Sequence, residues 1–464
     1  MRRSRMAPRT SFNRWLRDRF SQRVAAAVAL AAAGGLAVAD EPYEREPIDY
    51  WKTPLTDAVT RFKQDLESGD LELDATTEKS WLRGVLAALK VPESSQVMVF
   101  SKTSLQRNRI SPDTPRVLYF NDEVYVGYCQ DGEVLEISVA DPQLGAVFYS
   151  LAQDADDGPK LVRQGDNCLI CHGSSPTRNV PGHLLRSVFV HPSGEPILSA
   201  ATHRINQTNP LDERWGGWYV TGTHGPQKHL GNLVIQSRDV PDNVDNSAGM
   251  NLTALGDRFD ATAYATVYSD IVALLVLEHQ AEAQNLITQA NFTTRQALHY
   301  QVTLNRELGE PADHVWDSVT SRIRNVGERL IQYLLFSGEA KLTHRVAGTS
   351  GFAEEFAQQG PRDRRGRSLR DFDLQRRLFR YPCSYLVYTP SFQSLPDEVR
   401  NYVYVRLWNV LSGQDQTKPF EHLTPDDRQA ILEILRDTIP NLPNPWPAPK
   451  PTTQPSDQSQ GMPS

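Results

Sequence analysis

Cysteine is scarce in this chain, with four residues in 464. That excludes a disulfide scaffold, the device by which small secreted domains make up for a thin core. Methionine is scarce too; beyond residue 39 only Met98, Met250 and Met462 remain. After that point no apolar run reaches the roughly eighteen residues that a membrane-spanning helix needs, so no internal span is expected. Positive charge is also wanting. The chain carries 49 Lys and Arg against 56 Asp and Glu, a net −7. A surface of this sign excludes nucleic acid as a partner and disfavours anionic lipid. There is no internal repeat, no H-E-x-x-H or E-x-x-H pair, and no second C-x-x-C.

What is there is concentrated in one stretch, Cys168-Leu169-Ile170-Cys171-His172. C-x-x-C-H is the attachment pattern of a c-type haem. Each thiol adds across one vinyl group, and the histidine that follows is placed to bind the iron. A zinc site would need two further Cys or His at matching spacing, and the sequence offers no second C-x-x-C to provide them. One covalently held haem c is the expected cofactor, with Cys168, Cys171 and His172 as its anchors.

The N-terminus agrees with this reading. Residues 1–23 hold eight Arg against one acid, Asp18. Residues 24–39 are small and apolar, and Ala37-Val38-Ala39 precedes Asp40 as an A-x-A cleavage site. This is the pattern of a signal peptide over 1–39. Arg2-Arg3 lacks the rest of a twin-arginine motif, so a general export route to the periplasm, or otherwise out of the cytoplasm, is expected. An uncleaved N-terminal membrane anchor is the alternative. Removing the leader takes the balance from −7 to −14. Cys129 and Cys383 are left as a candidate disulfide or as two separate buried thiols.

The rest of the chain reads as α+β, and its length suggests two or three domains. Residues 40–152 begin helical, with Ala58, Val59, Phe62 and Leu66 and then Trp81, Leu82, Val85 and Leu86 at helical spacing. Five short β-branched and aromatic runs follow between Val97 and Leu151, separated by turn formers, which predicts antiparallel strands. Residues 153–250 form the loop-rich haem region, with strands expected at 184–190 and 232–237. Acids at 153–157 lack the full calcium-loop pattern. Residues 251–346 read as helical, Ile271, Leu274, Leu275, Glu278, Leu286 and Ala290 making one stripe. A polar, Arg-rich linker is expected at 347–370 and a helical block at 371–440, with Thr424 as an N-cap ahead of Pro425. The Pro-rich tail 441–464 lacks apolar anchors and reads as disordered.

The distal side of the iron stays open. His224 is the favoured ligand, because glycines and two tryptophans flank it in Arg214–Asn232 and Trp215 and Trp218 can cover a porphyrin face. His229, Met250, His203, His279 and an empty site are the alternatives. Propionates call for donors, and Arg178, Arg186, Arg204 and Arg214 lie within sequence reach. Asp270, Glu278 and His279 share one predicted helix but lack the spacing of a second metal site.

Arg163-Gln164-Gly165-Asp166-Asn167, the C-L-I-C-H-G that follows, Arg214–Asn232, Ser269–Leu274 and Tyr381-Pro382-Cys383-Ser384-Tyr385 together resemble exported, single-haem cytochrome c domain proteins of planctomycetes and related bacteria, a group without an assigned reaction. The resemblance spans most of the chain beyond the leader. It implies haem binding and electron transfer, with a redox partner protein. A strand-rich segment followed by C-x-x-C-H also resembles PAS-like haem sensor modules in layout. A third reading is a peroxidase-like oxidoreductase with an open distal site, His224 as acid/base and Arg214 as cation.

Overall fold

A computed structural model describes residues 41–73, 78–153, 158–200, 202–240 and 244–446. The expected leader, most of the acidic turn at 153–157, Met462 and the tail beyond 446 lie outside the described residues. Residues 41–45 belong to an N-terminal unit of their own, while the chain from Glu46 forms one compact unit.

The architecture is α+β. Helices α1 (Ala58–Ser68) and α2 (Glu78–Ala88) precede a meander of β1 (Val97–Val99), β2 (Arg116–Phe120), β3 (Val124–Tyr128), β4 (Val134–Asp141), β5 (Gly145–Ala152) and β6 (Leu161–Gln164). Alternation makes these strands. In β4, Leu135, Ile137 and Val139 are buried on one face, and Val134, Glu136 and Ser138 are half-buried on the other. The turns between the strands fall at the Asn, Asp and Gly clusters of the sequence. Three strands fall outside the expected runs: β6, β8 (Thr202–Arg204) and β9 (Trp218–Tyr219). β9 pairs antiparallel with β1, so the sheet runs β6-β5-β4-β3-β2-β1-β9. A separate ribbon joins β7 (Arg186–Val188) to β8. The strand expected at 232–237 is absent. Asn232 takes a positive φ of 67°, and its side chain bonds both the N–H and the C=O of Val220 at 2.8 Å.

The short helix α3 (Asp166–His172) carries the C-x-x-C-H motif directly after β6. The dominant element is α4 (Ile271–Leu308), 38 residues long and capped by Asp270, whose carboxylate accepts the N–H groups of Val272 and Ala273. Its first eighteen residues are all buried, so the single apolar stripe read from the sequence understates it. A helix covered on every side runs through the middle of a core. The sheet covers one side: Tyr125 Oη donates to Gln284 Oε1 at 2.6 Å. Helix α5 (Asp317–Leu334) and the C-terminal helices α7 (Asp397–Leu411) and α8 (Pro425–Thr438) complete the layer. Thr424 caps α8 as expected, in a reciprocal capping box with Asp427.

The segment 347–370, read as a polar linker, is built into this core. It holds α6 (Phe352–Gln358), with Phe352 and Phe356 buried. The two rings lie four residues apart on one helix face, and the surrounding arginines mask them in composition. One hydrophobic cluster runs from Val97 and Trp218 through α4 to Leu435, and the chain from Glu46 onward forms one compact unit.

Candidate haem site

Helix α3 places Cys171 three and His172 four residues after Cys168, so each of them neighbours Cys168 on the helix surface. Cys168 is half-buried and Cys171 exposed, and neither is in a disulfide. Burial and the neighbouring Glu136 push the Cys168 thiol up to about 11. Ile170, between the cysteines, is 71% exposed, so the motif helix lies at the surface.

His172 is fixed from behind. Its Nδ1 lies 2.9 Å from the carbonyl oxygen of Gly182. A carbonyl only accepts, so Nδ1 carries the proton and Nε2 keeps its lone pair. Burial holds the ring below the usual imidazole range against the opposing pull of the Gly182 bond, which keeps it neutral at pH 7. Iron-binding histidines are commonly oriented in this way, by a backbone carbonyl on the second ring nitrogen. The Gly182 N–H returns a bond to the His172 carbonyl at 2.8 Å.

Helix α4 clamps the residue that follows. The His183 N–H donates to Asn285 Oδ1 at 2.9 Å, and Asn285 Nδ2 donates to the His183 carbonyl at 2.8 Å. A Cβ on residue 182 would lie 2.1 Å from Asn285 Oδ1, so only glycine fits there. The His183 ring is buried against Tyr125, with centroids 4.1 Å apart, and its Nε2 lies 3.0 Å from Ser138 Oγ. Burial pushes it down to about 3, so it is neutral. Phe148 packs near both imidazoles, its ring centroid 5.0 Å from His172 and 6.1 Å from His183. On the sheet face that Phe148 shares, Leu118, Glu136 and Ser138 are half-buried, and the Arg116–Glu136 ion pair at 2.5 Å crosses Gly127. The residues present fit a covalent haem: two free thiols, a neutral imidazole with Nε2 unprotonated, and a partly open sheet face beside them.

The remaining expected site residues go elsewhere. Gly222 abuts Ile271, the first residue of α4, whereas Gly182 abuts Asn285, fourteen residues and a rise of about 21 Å further on. His224 belongs to the first end. Its Nε2 accepts the Asn251 N–H at 3.1 Å, and its ring packs on His229 at 4.7 Å. His224 is therefore not brought to the C-x-x-C-H helix; of the glycines around it, Gly222 packs against Ile271 at the start of α4, and Gly225 against His344. His229 lies beside Trp215, its Nδ1 accepting the Gly231 N–H at 3.0 Å. Met250 follows a turn whose Gly249 carbonyl is tied to Asn232 in the same cluster. Arg214 is buried in an ion pair with Glu278 and donates to the Asn209 and Gln207 carbonyls. Trp215 is fully buried, and Trp218 in β9 donates Nε1 to the Arg186 carbonyl at 2.8 Å. These residues build core around α4 and do not cover the motif helix.

Of the other arginines, Arg178 and Arg204 both pair with Glu282. Arg186 has no ion pair or side-chain hydrogen bond among the described residues, yet its charge reaches His172. His279 is committed on both nitrogens, to Gln207 Oε1 and Ser384 Oγ, and Asp270 caps α4, so neither joins Glu278 in a metal site. Cys129 and Cys383 are buried free thiols. Sequence reasoning missed Gly182 and Asn285. The only sequence signal was the Pro181-Gly182-His183 run shortly after the motif.

Comparisons with family models, with curated proteins and with solved structures return no match.

Proposed function

We propose that this chain is an exported monohaem c-type cytochrome that exchanges single electrons with a partner redox protein. Cys168 and Cys171 hold the haem and His172 binds its iron. The observation that carries this reading is the bond from His172 Nδ1 to the Gly182 carbonyl, which leaves Nε2 unprotonated beside two free thiols. When bound, the haem supplies one-electron chemistry at iron, tuned by axial ligation, burial and hydrogen bonding.

The chain's own residues set the conditions. Gly182 orients the imidazole, and Asn285 holds Gly182 in place through His183. Arg186 supplies an uncommitted cation near His172, suited to a propionate. Exposure of Ile170 and Cys171 supports access by a partner at the motif helix. The peroxidase-like reading loses its named pair, since Arg214 is committed to Glu278 and His224 lies at the other end of the buried part of α4.

The test is the double variant Cys168→Ala/Cys171→Ala, produced with a haem-maturation system. Covalent haem staining is expected to vanish. Haem surviving denaturing extraction in that variant overturns the attachment. In the wild type, a low-spin ferric spectrum unchanged by cyanide or carbon monoxide is expected. A high-spin spectrum that responds to either overturns electron transfer in favour of an open-site enzyme or sensor.

A further inference from the structure

A cleft lies away from the motif helix, with no residue of that helix in its lining. It measures about 1520 Å³ and opens between the turn after α5, the stretch around 365–381 and the start of α8. Its lining reverses the sign of the chain: seven of its 21 residues are Lys or Arg and five are Asp or Glu. Much of this charge is already spent. Arg377 holds Asp427 at 2.6 Å, and Arg367 and Arg365 hold Glu433 at 2.6 and 3.0 Å. Glu339, at the floor, accepts the Leu378 N–H, and burial pushes it up to about 7, so it carries only part of a charge at neutral pH.

What is left over is positive. Lys341, Arg380 and Lys418 have no acidic partner among the described residues, and Arg380 lies over the ring of Tyr381 at 5.5 Å. Arg376 is paired with Asp373 but stays 78% exposed. The acids not held by an arginine or by burial are Glu421 and Asp426. The three free cations come from three different chain segments and converge on one cavity with Phe336, Leu342 and Tyr381 in its wall. Cations on rigid, separate segments are the arrangement that recognises clustered oxyanions, and an apolar wall accommodates a carbon skeleton.

We propose that this cleft binds a small organic anion bearing several carboxylate or phosphate groups. Lys341, Arg380 and Lys418 contact the oxyanions, and the Phe336–Tyr381 wall receives the rest of the ligand. The site is independent of the haem reading, since none of these residues takes part in the motif helix or its supports.

Calorimetric titration of the full-length protein at low salt tests this, with citrate and pyrophosphate as separate probes. At least one probe is expected to bind, and to weaken by about tenfold or more in Lys341→Ala/Arg380→Ala/Lys418→Ala. Preference for citrate or for pyrophosphate assigns the carboxylate or the phosphate form. Arg329→Ala, at an exposed site outside the cleft, is expected to bind as wild type does. All three replaced side chains are exposed, so the triple variant should melt with the wild type, and circular dichroism checks this. Failure of both probes to bind, or equal binding to the triple variant, overturns the proposal.

Discussion

Replacing Gly182 by alanine attacks the candidate site without touching Cys168, Cys171 or His172. The added Cβ would lie 2.1 Å from Asn285 Oδ1 and 3.3 Å from Thr177 Cβ, inside any permitted contact for the first. Either the strand of chain at 181–183 or the Asn285 side chain must move. Movement of the chain loosens the bond of His172 to the Gly182 carbonyl, and movement of Asn285 breaks its two bonds to His183. Overpacking costs about 1–3 kcal/mol and each weakened bond about 1 kcal/mol, so Gly182→Ala should destabilise by about 2–4 kcal/mol. Asn285→Ala leaves the His183 N–H and C=O without partners and should cost about 2–4 kcal/mol by itself. The double variant removes the clash along with the clamp. It should therefore be no less stable than Asn285→Ala alone, a coupling equal to the whole Gly182→Ala cost, about 2–4 kcal/mol in favour of the pair. Urea unfolding followed by tryptophan fluorescence measures all three, and haem staining should report lower covalent yield in each. A silent Gly182→Ala, or strict additivity in the double variant, refutes the clamp.

The other expectations are direct. His224→Ala should leave the haem spectrum unchanged, since its ring lies at the far end of the buried part of α4; loss of a low-spin signal would falsify that placement. Phe352→Ala should cost about 3–5 kcal/mol as a core truncation, and limited proteolysis should spare 347–370 in the wild type. Thiol titration of the unfolded holoprotein should find two free thiols, Cys129 and Cys383; a count of zero contradicts their separation. Glu339 has a folded-state pKa raised by burial to about 7, above its ordinary 4.5. The folded state then binds the proton more tightly, so the Glu339 contribution is full below about 4.5 and is lost as pH rises through 7, by about 1–3 kcal/mol. Glu339→Gln should flatten the fall between pH 5 and 8, and an unchanged slope in that variant would count against it.

Much of the fold could be read in advance where the physics is local. The strands between Val97 and Leu151 announce themselves because alternation and turn residues act within a few positions of each other. The Thr424 cap is equally local. β9 could not be read that way, since two residues form a strand only because a sheet edge more than a hundred positions earlier accepts them. In 347–370, arginines and glycines outnumber two phenylalanines, and composition hides a spacing of four. The site divides along the same line. C-x-x-C-H is visible because the covalent attachment proposed for it would demand thiols and an imidazole at fixed spacing. Trp215, Trp218, Arg214 and His224 were drawn toward the haem because flat rings, glycines and a buried cation suit a core as well as a cofactor. The Gly182–Asn285 clamp joins positions 103 apart and leaves no local trace.

The place of β9 has a further consequence, for the order of assembly. β6 and β9 stand at opposite edges of one sheet, and the chain between them is the segment that carries the motif helix. Six strand spacings of roughly 4.8 Å separate those edges, so the segment must cross about 29 Å before Trp218 can pair with Val99. The six-strand meander closes connections of sixteen residues or fewer, whereas the seventh strand waits on a path of more than fifty residues, and such non-local pairings form slowly. The segment that carries the motif helix is thus a strap whose far buckle fastens late. On the proposed haem reading, the two thiols would then ride on a chain tethered at one edge only and be open to a maturation enzyme before the last strand locks the strap across the sheet.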